Sequence, residues 1–421
     1  MQVAEKMLSG VLVVVIFLCL CSTARAQNSP YGPPSDQVYF ALPNGSSNYI
    51  WNYSSNTTTE PPVWNYYAIG GPAVLANSPL TSFSYGTEDL VYYIGTDGHI
   101  HEDQWDTRNG PSYVDITTAS GAPLPATGSA LTSILDGEHG YIYYIGTDMH
   151  AHQITWTSSG SWVTTDITTT AGAASAGYVN SLASFIFGGD LEVVYVTAAN
   201  HVIQVYLNSG SSWATLDMTS LSGAPLAEPA TGLTGFKYPD GHAHVYYFSQ
   251  PVSGGTVSLG ELYQHGSTWG YDNLSSIPIP APANYKSLTS LSFGSSIRVY
   301  YETPSAEPTV YSEVIEYHAA DEGPGFNTSN GWNFQNIMSG VGSLYPANAN
   351  STLASYVNTS TSPQSVRLYY VSSPDVVGTQ YQGQPYVTQA YGVASSGLDL
   401  TWNWDTIGNQ AEPPVVTGTF W

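Results

Sequence analysis

The sequence predicts an all-β, seven-bladed β-propeller with four-stranded blades, its ring closed by the C-terminal strand. Three observations predict it. A short pattern of apolar residue, Tyr and apolar residue recurs along the chain. It reads Val38-Tyr39-Phe40, Val91-Tyr92-Tyr93, Ile142-Tyr143-Tyr144, Val194-Tyr195-Val196, Val245-Tyr246-Tyr247, Val299-Tyr300-Tyr301 and Leu368-Tyr369-Tyr370, with central tyrosines 53, 51, 52, 51, 54 and 69 residues apart. Every unit after the first also carries an upstream landmark, from Leu80-Thr81-Ser82-Phe83 to Leu353-Ala354-Ser355-Tyr356. The segments between are short and rich in Val, Ile, Tyr, Thr and Trp. They are bounded by Gly, Asn, Asp and Pro, and none has a helical period. Units of about 50 residues with four short strands suit radial blades, which leave only short edges open.

In chain order, residues 1–26 read as a secretory signal: Lys6, an apolar stretch from Leu8 to Cys21, and the small-residue exit Ala24-Arg25-Ala26. Cleavage there leaves one propeller domain, residues 27–421, secreted and without cysteine, since Cys19 and Cys21 leave with the signal. Unit one has no upstream landmark, and the closing run Val415-Val416-Thr417-Gly418-Thr419-Phe420-Trp421 reads as its missing strand. Thr96-Asp97-Gly98-His99 has the form of a hairpin turn, Asp-Gly supplying the positive φ. The linkers Ser120-Gly121-Ala122-Pro123 and Ser222-Gly223-Ala224-Pro225 carry the chain from one blade's outer edge to the next blade's inner strand. Each unit ends on an aromatic landmark: Trp64, Tyr113, Trp162, Trp213, Trp269, Trp332 and Trp402. In several an acid or amide follows, as at Asp166, Asp217, Asp272, Gln335 and Asp405.

The chain carries 7 Lys and Arg against 31 Asp and Glu, a net charge of −24. Without the signal, five basic residues face 30 acidic ones. That balance excludes nucleic acid as a partner, because phosphate contacts need cations in number. It excludes an anionic membrane surface likewise, and no later apolar run is long enough for membrane insertion. The abundance of Tyr, Trp, Ser, Thr, Gly and Asn suits neutral ligands with hydroxyls and a stackable face, such as sugars.

Two of the five remaining basic residues hold the same place in their units, as Arg298-Val299-Tyr300 and Arg367-Leu368-Tyr369. A guanidinium donates paired hydrogen bonds and keeps its charge at any relevant pH. The hairpin's partner strand offers an acceptor: Glu102, Gln153, Glu261, Glu313 or Gln389. The bland reading is a strand arginine paired with a local carboxylate.

The Arg-x-Tyr strand, the turn, the Glu or Gln and the following Trp resemble the repeats of the fungal fucose-specific lectins. Leu90-Val91-Tyr92-Tyr93-Ile94-Gly95-Thr96-Asp97-Gly98-His99-Ile100-His101-Glu102 is similar to that family's hairpin, and Val416-Thr417-Gly418-Thr419-Phe420-Trp421 to its C-terminal segment. The resemblance implies sugar pockets between blades, with Arg and Glu or Gln from one blade and Trp from the next. Unit six then offers Arg298 and Glu313 with Trp402; unit seven offers Arg367 and Gln389 with Trp64. Unit two keeps Glu102 and Trp162 with Leu90 in the arginine's place, and unit three keeps Gln153 and Trp213 with Tyr141 there. Unit five has His244 there, with Glu261 and Trp332. Unit four, with Val193 and Val205, offers no pocket, and unit one has Gln37 and no clear acceptor.

The resemblance implies a secreted, non-catalytic lectin without cofactor, whose partners are glycans or glycoproteins, fucosylated ones favoured. A protein-binding or structural propeller and a propeller glycosidase are the alternatives. The second needs paired carboxylates or a basic cluster, and the acids scatter one per blade. His99, His101, His150, His152, His201, His242 and His244 cluster around equivalent hairpins. With no cysteine and no dense carboxylate set beside them in sequence, they read as hydrogen-bonding residues, with no metal expected. Seven sequons, at Asn44, Asn52, Asn56, Asn273, Asn327, Asn350 and Asn358, mark candidate N-glycosylation sites.

Overall fold

The computed structural model describes residues 18–20, 35–44, 47–56, 63–68, 71–86, 88–106, 110–156, 160–208, 212–238, 241–251, 256–265, 268–274, 282, 285–304, 311–320, 332–337, 347–348, 353–358, 364–372, 386–396 and 399–406. Four antiparallel strands make each unit, ordered as in the sequence. Unit one comprises Leu18–Leu20, Ser35–Asn44, Ser47–Asn56 and Val63–Ala68; unit two, Leu80–Tyr85, Glu88–Ile94, Ile100–Asp106 and Gly110–Asp115. Unit three comprises Leu131–Asp136, His139–Ile145, Ala151–Trp156 and Trp162–Asp166; unit four, Leu182–Phe187, Asp190–Val196, Val202–Asn208 and Ser212–Asp217. Unit five comprises Leu233–Lys237, Ala243–Ser249, Ser258–His265 and Thr268–Asn273; unit six, Leu288–Phe293, Ser296–Pro304, Tyr311–Ala320 and Asn333–Asn336; unit seven, Ala354–Asn358, Ser365–Ser372, Tyr386–Ser396 and Asp399–Thr406.

These strands gather in six sheets. As hydrogen-bonded sheets they make a six-bladed propeller, not the seven-bladed one expected. The cause is local. Ala347–Asn348 pairs with Tyr311 and Ser312 of unit six and, through Ala347, with Ser372 of unit seven, joining both units into one nine-stranded sheet. A second difference lies at the closure. The inner position of unit one, expected to hold the C-terminal strand, is held by Leu18–Leu20, with Cys19 opposite Tyr39. An apolar triplet serves there because the strand Ser35–Asn44 would otherwise present an open edge. Residues 407–421 lie outside the described residues, as does the predicted signal apart from this triplet.

The landmarks find physical roles. Inner-strand residues one and four (Leu80 and Phe83, Leu131 and Ile134, Leu288 and Leu291) are buried against neighbouring units. The Thr-Ser pair between them links adjacent inner strands: Thr81 Oγ1 lies 2.7 Å from Ser133 Oγ, Thr132 2.8 Å from Ser184, Thr234 2.9 Å from Ser290 and Thr289 2.9 Å from Ser355. A Tyr one place after the central position, which in unit four is Tyr195 itself, pins the incoming linker. Its hydroxyl donates to a carbonyl about 21 residues upstream, Pro123 for Tyr144 (2.7 Å), Ala174 for Tyr195 (2.7 Å) and Pro225 for Tyr247 (2.9 Å).

Among the described residues, three helices of five residues, which no periodicity could reveal, follow units two, three and four: Ile116–Ser120, Ile167–Ala171 and Met218–Ser222. Each is one capped turn. Asp115, Asp166 or Asp217 accepts the backbone N–H three residues on, and Gly121, Gly172 or Gly223 ends the turn with φ near 66–69°.

Candidate functional site

A cross-strand pair of tyrosine with an acid or amide recurs at the inter-blade clefts of units two, three, five, six and seven. Tyr300 stands opposite Glu316, and its hydroxyl donates to Glu316 Oε2 at 2.9 Å. The same register places Tyr92 opposite Glu102 (2.6 Å) and Tyr246 opposite Glu261 (2.6 Å). Where the acceptor is an amide the bond reverses: Gln153 Nε2 donates to the Tyr143 hydroxyl at 3.0 Å, and Gln389 Nε2 to that of Tyr369 at 2.7 Å.

Two residues before the tyrosine stands a side chain facing the same cleft. In unit six it is Arg298, whose Nη1 donates to Glu316 Oε1 at 2.5 Å; the pair is 1% and 0% exposed. His318 Nδ1 lies 3.0 Å from the same oxygen. The fourth member comes from the next unit. The Trp402 ring meets Tyr300 edge to face with centroids 6.0 Å apart. In unit five, His244 Nδ1 lies 2.8 Å from Glu261 Oε1, and Trp332 of unit six meets Tyr246 edge to face at 6.3 Å.

The structure sets Arg298, Trp402, Glu102, Trp162, Gln153, Trp213, Glu261 and Trp332 in contact with, or in the same apolar cluster as, the tyrosine of their own or the preceding unit. Trp162 packs on the cluster that holds Tyr92 and Leu90, and Trp213 on the one that holds Tyr143. Glu313 stands elsewhere. The ladder sets it opposite Thr303, and the residue opposite Tyr300 is Glu316. Unit six's hairpin strands run to nine and ten residues where unit two's are seven, so the acceptor comes 16 residues after the tyrosine rather than 10.

Unit four also departs from expectation. Its tyrosine stands one place late, since Leu182 faces Tyr195 just as Leu80 faces Tyr93. The cleft residues are then Glu192, Val194 and Gln204 rather than Val193 and Val205. Gln204 Nε2 donates to Glu192 Oε2 at 2.5 Å, and Trp269 packs in the same cluster as Val194. In unit seven, Arg367 lies over the Tyr391 ring at 4.9 Å, and Gln389 is wholly buried. Trp64 sits on the outer strand of unit one opposite Ser55, its side chain outside the described residues. Of the sequons, Asn273 is exposed at a strand end. Asn44, Asn52, Asn56 and Asn358 lie on strands with side chains outside the described residues, as do Asn327 and Asn350 entirely.

Burial sets the electrostatics. Removal from water lifts Glu102 to about 7, opposed by its bond from Tyr92, and Glu192 to about 8, opposed by Gln204. Tyr300 is pushed far above its usual range, first by burial and then by Glu316. Several polar atoms in the clefts have no hydrogen-bond partner among the described residues: Nε1 of Trp269, Trp332 and Trp402, Nε2 of His244, and Oε1 of Gln204 and Gln389. The three indoles come from the same landmark of successive units. Sequence reasoning missed Glu316, Glu192 and Gln204; strand register was the signal required.

The model of a family described as fungal fucose-specific lectin matches residues 90–324, more than half of the chain. No curated protein sequence matches it. Among solved structures, the BP39L lectin from Burkholderia pseudomallei is similar in fold, with a TM-score of 0.63 at 14% identity over 92% of this chain and 98% of that one. A lectin from Aleuria aurantia in complex with Fucα1-6GlcNAc aligns with a TM-score of 0.49 at 16% identity, covering 77% of this chain and 95% of its own. A further structure of that lectin, described as a six-bladed β-propeller, gives 0.48 at 16% identity, over 78% and 96%.

Proposed function

The chain belongs to the fungal fucose-specific lectin family, and from that premise we propose that it is a secreted lectin whose inter-blade sites take fucose or a related neutral sugar. It is a carbohydrate-binding protein, and its family binds sugar without turning it over. The observation that carries the site reading is the repeated cleft: a buried acceptor beside Tyr, and an indole N–H from the next unit with no acceptor among the described residues. Leaving a buried donor unsatisfied costs about 1–3 kcal/mol, which a ligand hydroxyl would recover. The acceptor takes a sugar's hydroxyl protons, the guanidinium or imidazole donates, and the aromatic wall receives the apolar face. Weak sites repeated around a ring favour multivalent, fucosylated glycoproteins as partners.

On this reading the nine-stranded sheet acts as two blades, for seven in all. Supporting it, the inner strands neighbour one another in order from Leu80–Tyr85 through Leu288–Phe293 to Ala354–Asn358, and Leu18–Leu20 lies against the first and last of these. Val416-Thr417-Gly418 repeats the apolar-Thr-Gly of Leu233-Thr234-Gly235, so it suits the place of Leu18–Leu20 once the signal is cleaved. Asn273, exposed at a strand end, would carry a glycan outside the clefts. A glycan array with the secreted protein tests the function. Fucosylated glycans should dominate the signal, and binding to none of them at high protein concentration would contradict it.

A further inference from the structure

The hairpin tips of units two and three gather two histidines and two aspartates each. In unit two, His101 Nε2 lies 3.1 Å from both carboxylate oxygens of Asp97, and His99 Nδ1 lies 2.8 Å from Asp115 Oδ2. Unit three repeats this. His152 Nε2 lies 3.0 and 3.1 Å from the two oxygens of Asp148, and His150 Nδ1 lies 2.8 Å from Asp166 Oδ2 and 3.9 Å from Asp148 Oδ2. Donor atoms of Asp97, His99 and Asp115 all fall within 4.8 Å of one another, as do those of Asp148, His152 and Asp166. The carboxylates are widely spaced in sequence from one another. The cap that starts each five-residue helix brings Asp115 and Asp166 back over the turn.

Unit four is an internal control. It makes the same turn and the same cap, with His201 Nδ1 2.8 Å from Asp217 Oδ2. Yet Ala199 replaces the turn aspartate and Ile203 the second histidine. Thr197 Oγ1 accepts the His201 N–H there, as Asp97 Oδ1 accepts that of His99. Turn and cap therefore form without Asp97 and His101, and the two extra residues come and go together. His101 and His152 are buried with Nδ1 unpartnered among the described residues, and Nε2 is the end directed at the carboxylate. Asp97 and Asp148 are about half exposed, which gives a cation entry from solvent.

We propose that each of these two tips binds one divalent transition-metal ion of the zinc type, through Asp97, His99 and Asp115 in unit two and Asp148, His152 and Asp166 in unit three, with a fourth position left to solvent. Tetrahedral zinc holds its donors at about 2.0–2.1 Å, hence about 3.3–3.4 Å apart, and the three donors of each tip already lie within 4.8 Å of one another. Mixed imidazole and carboxylate donors suit zinc and not calcium, which takes oxygen alone.

The test equilibrates chelator-treated protein with zinc chloride, removes excess, and counts metal per chain by mass spectrometry. Two ions are expected for the unaltered chain. One each is expected for Asp97→Asn and Asp148→Asn, which keep the size and the turn's acceptor, and none for the double variant. His201→Ala should still hold two, and excess calcium should displace neither. An unaltered chain that retains no zinc would overturn the proposal, as would a double variant that retains both ions.

Discussion

Arg298 and Glu316 are fully buried side chains bonded to each other, so removing either breaks a buried ion pair, and for Glu316 the bond from Tyr300 and the His318 ring beside it offset only part of the loss. Arg298→Ala should therefore cost about 3–5 kcal/mol of stability in chemical denaturation, besides any loss of sugar binding. Arg298→Met combined with Glu316→Gln should cost much less, because no lone charge remains. Trp402→Phe is the gentler probe of the cleft: it keeps an aromatic ring beside Tyr300 while removing the indole N–H and part of the bicyclic ring. It should weaken binding of a monovalent sugar at that site by roughly one decade and lower the melting temperature less than Arg298→Ala does. The arginines were legible in the sequence because only five basic residues follow residue 26. Their acceptor was not, since hairpin length varies between units and moves Glu316 three places beyond Glu313. The acid of unit four was hidden likewise by a tyrosine displaced by one residue.

At the scale of elements, the repeat landmarks were plain while their roles were not. Nothing in Leu-Thr-Ser-Phe announces that Thr bonds to the next unit's Ser. The seam breaks between units four and five, where Ala183 and Gly235 stand in place of Thr and Ser. Space explains the gap, for a Cβ on Gly235 would come within 2.9 Å of the His244 carbonyl oxygen and of Phe185. Gly235→Ser should thus destabilise the protein by about 1–3 kcal/mol, although it restores the serine of the pattern. The five-residue helices were beyond periodicity, yet their Asp and Gly caps were visible at fixed offsets. Asp166→Ala removes the acceptor for the Thr169 N–H and for His150, and should cost about 1–2 kcal/mol by thermal unfolding.

For the whole molecule, two sets of carboxyls pull against each other as pH changes. Burial raises Glu102 to about 7 and Asp103 and Glu192 to about 8. The folded state binds these protons more tightly than the unfolded chain, so stability falls as pH rises from the ordinary carboxyl range towards 8. Asp115, Asp166 and Asp217 are lowered instead, and their contribution disappears as pH drops below that range. Melting temperature should peak near pH 4–5, and Glu102→Gln should flatten the decline above it by a contribution on the order of 1–3 kcal/mol. The central claim is narrower: sugar binds between blades, against the indole of the following unit. The direct measurement labels tryptophan with nitrogen-15 and titrates α-methyl fucoside, following the indole N–H resonances, with Trp402→Phe assigning one of them. The account predicts that the Trp402 resonance shifts and saturates with the ligand. A ligand that binds while the Trp269, Trp332 and Trp402 resonances all stay in place would contradict it.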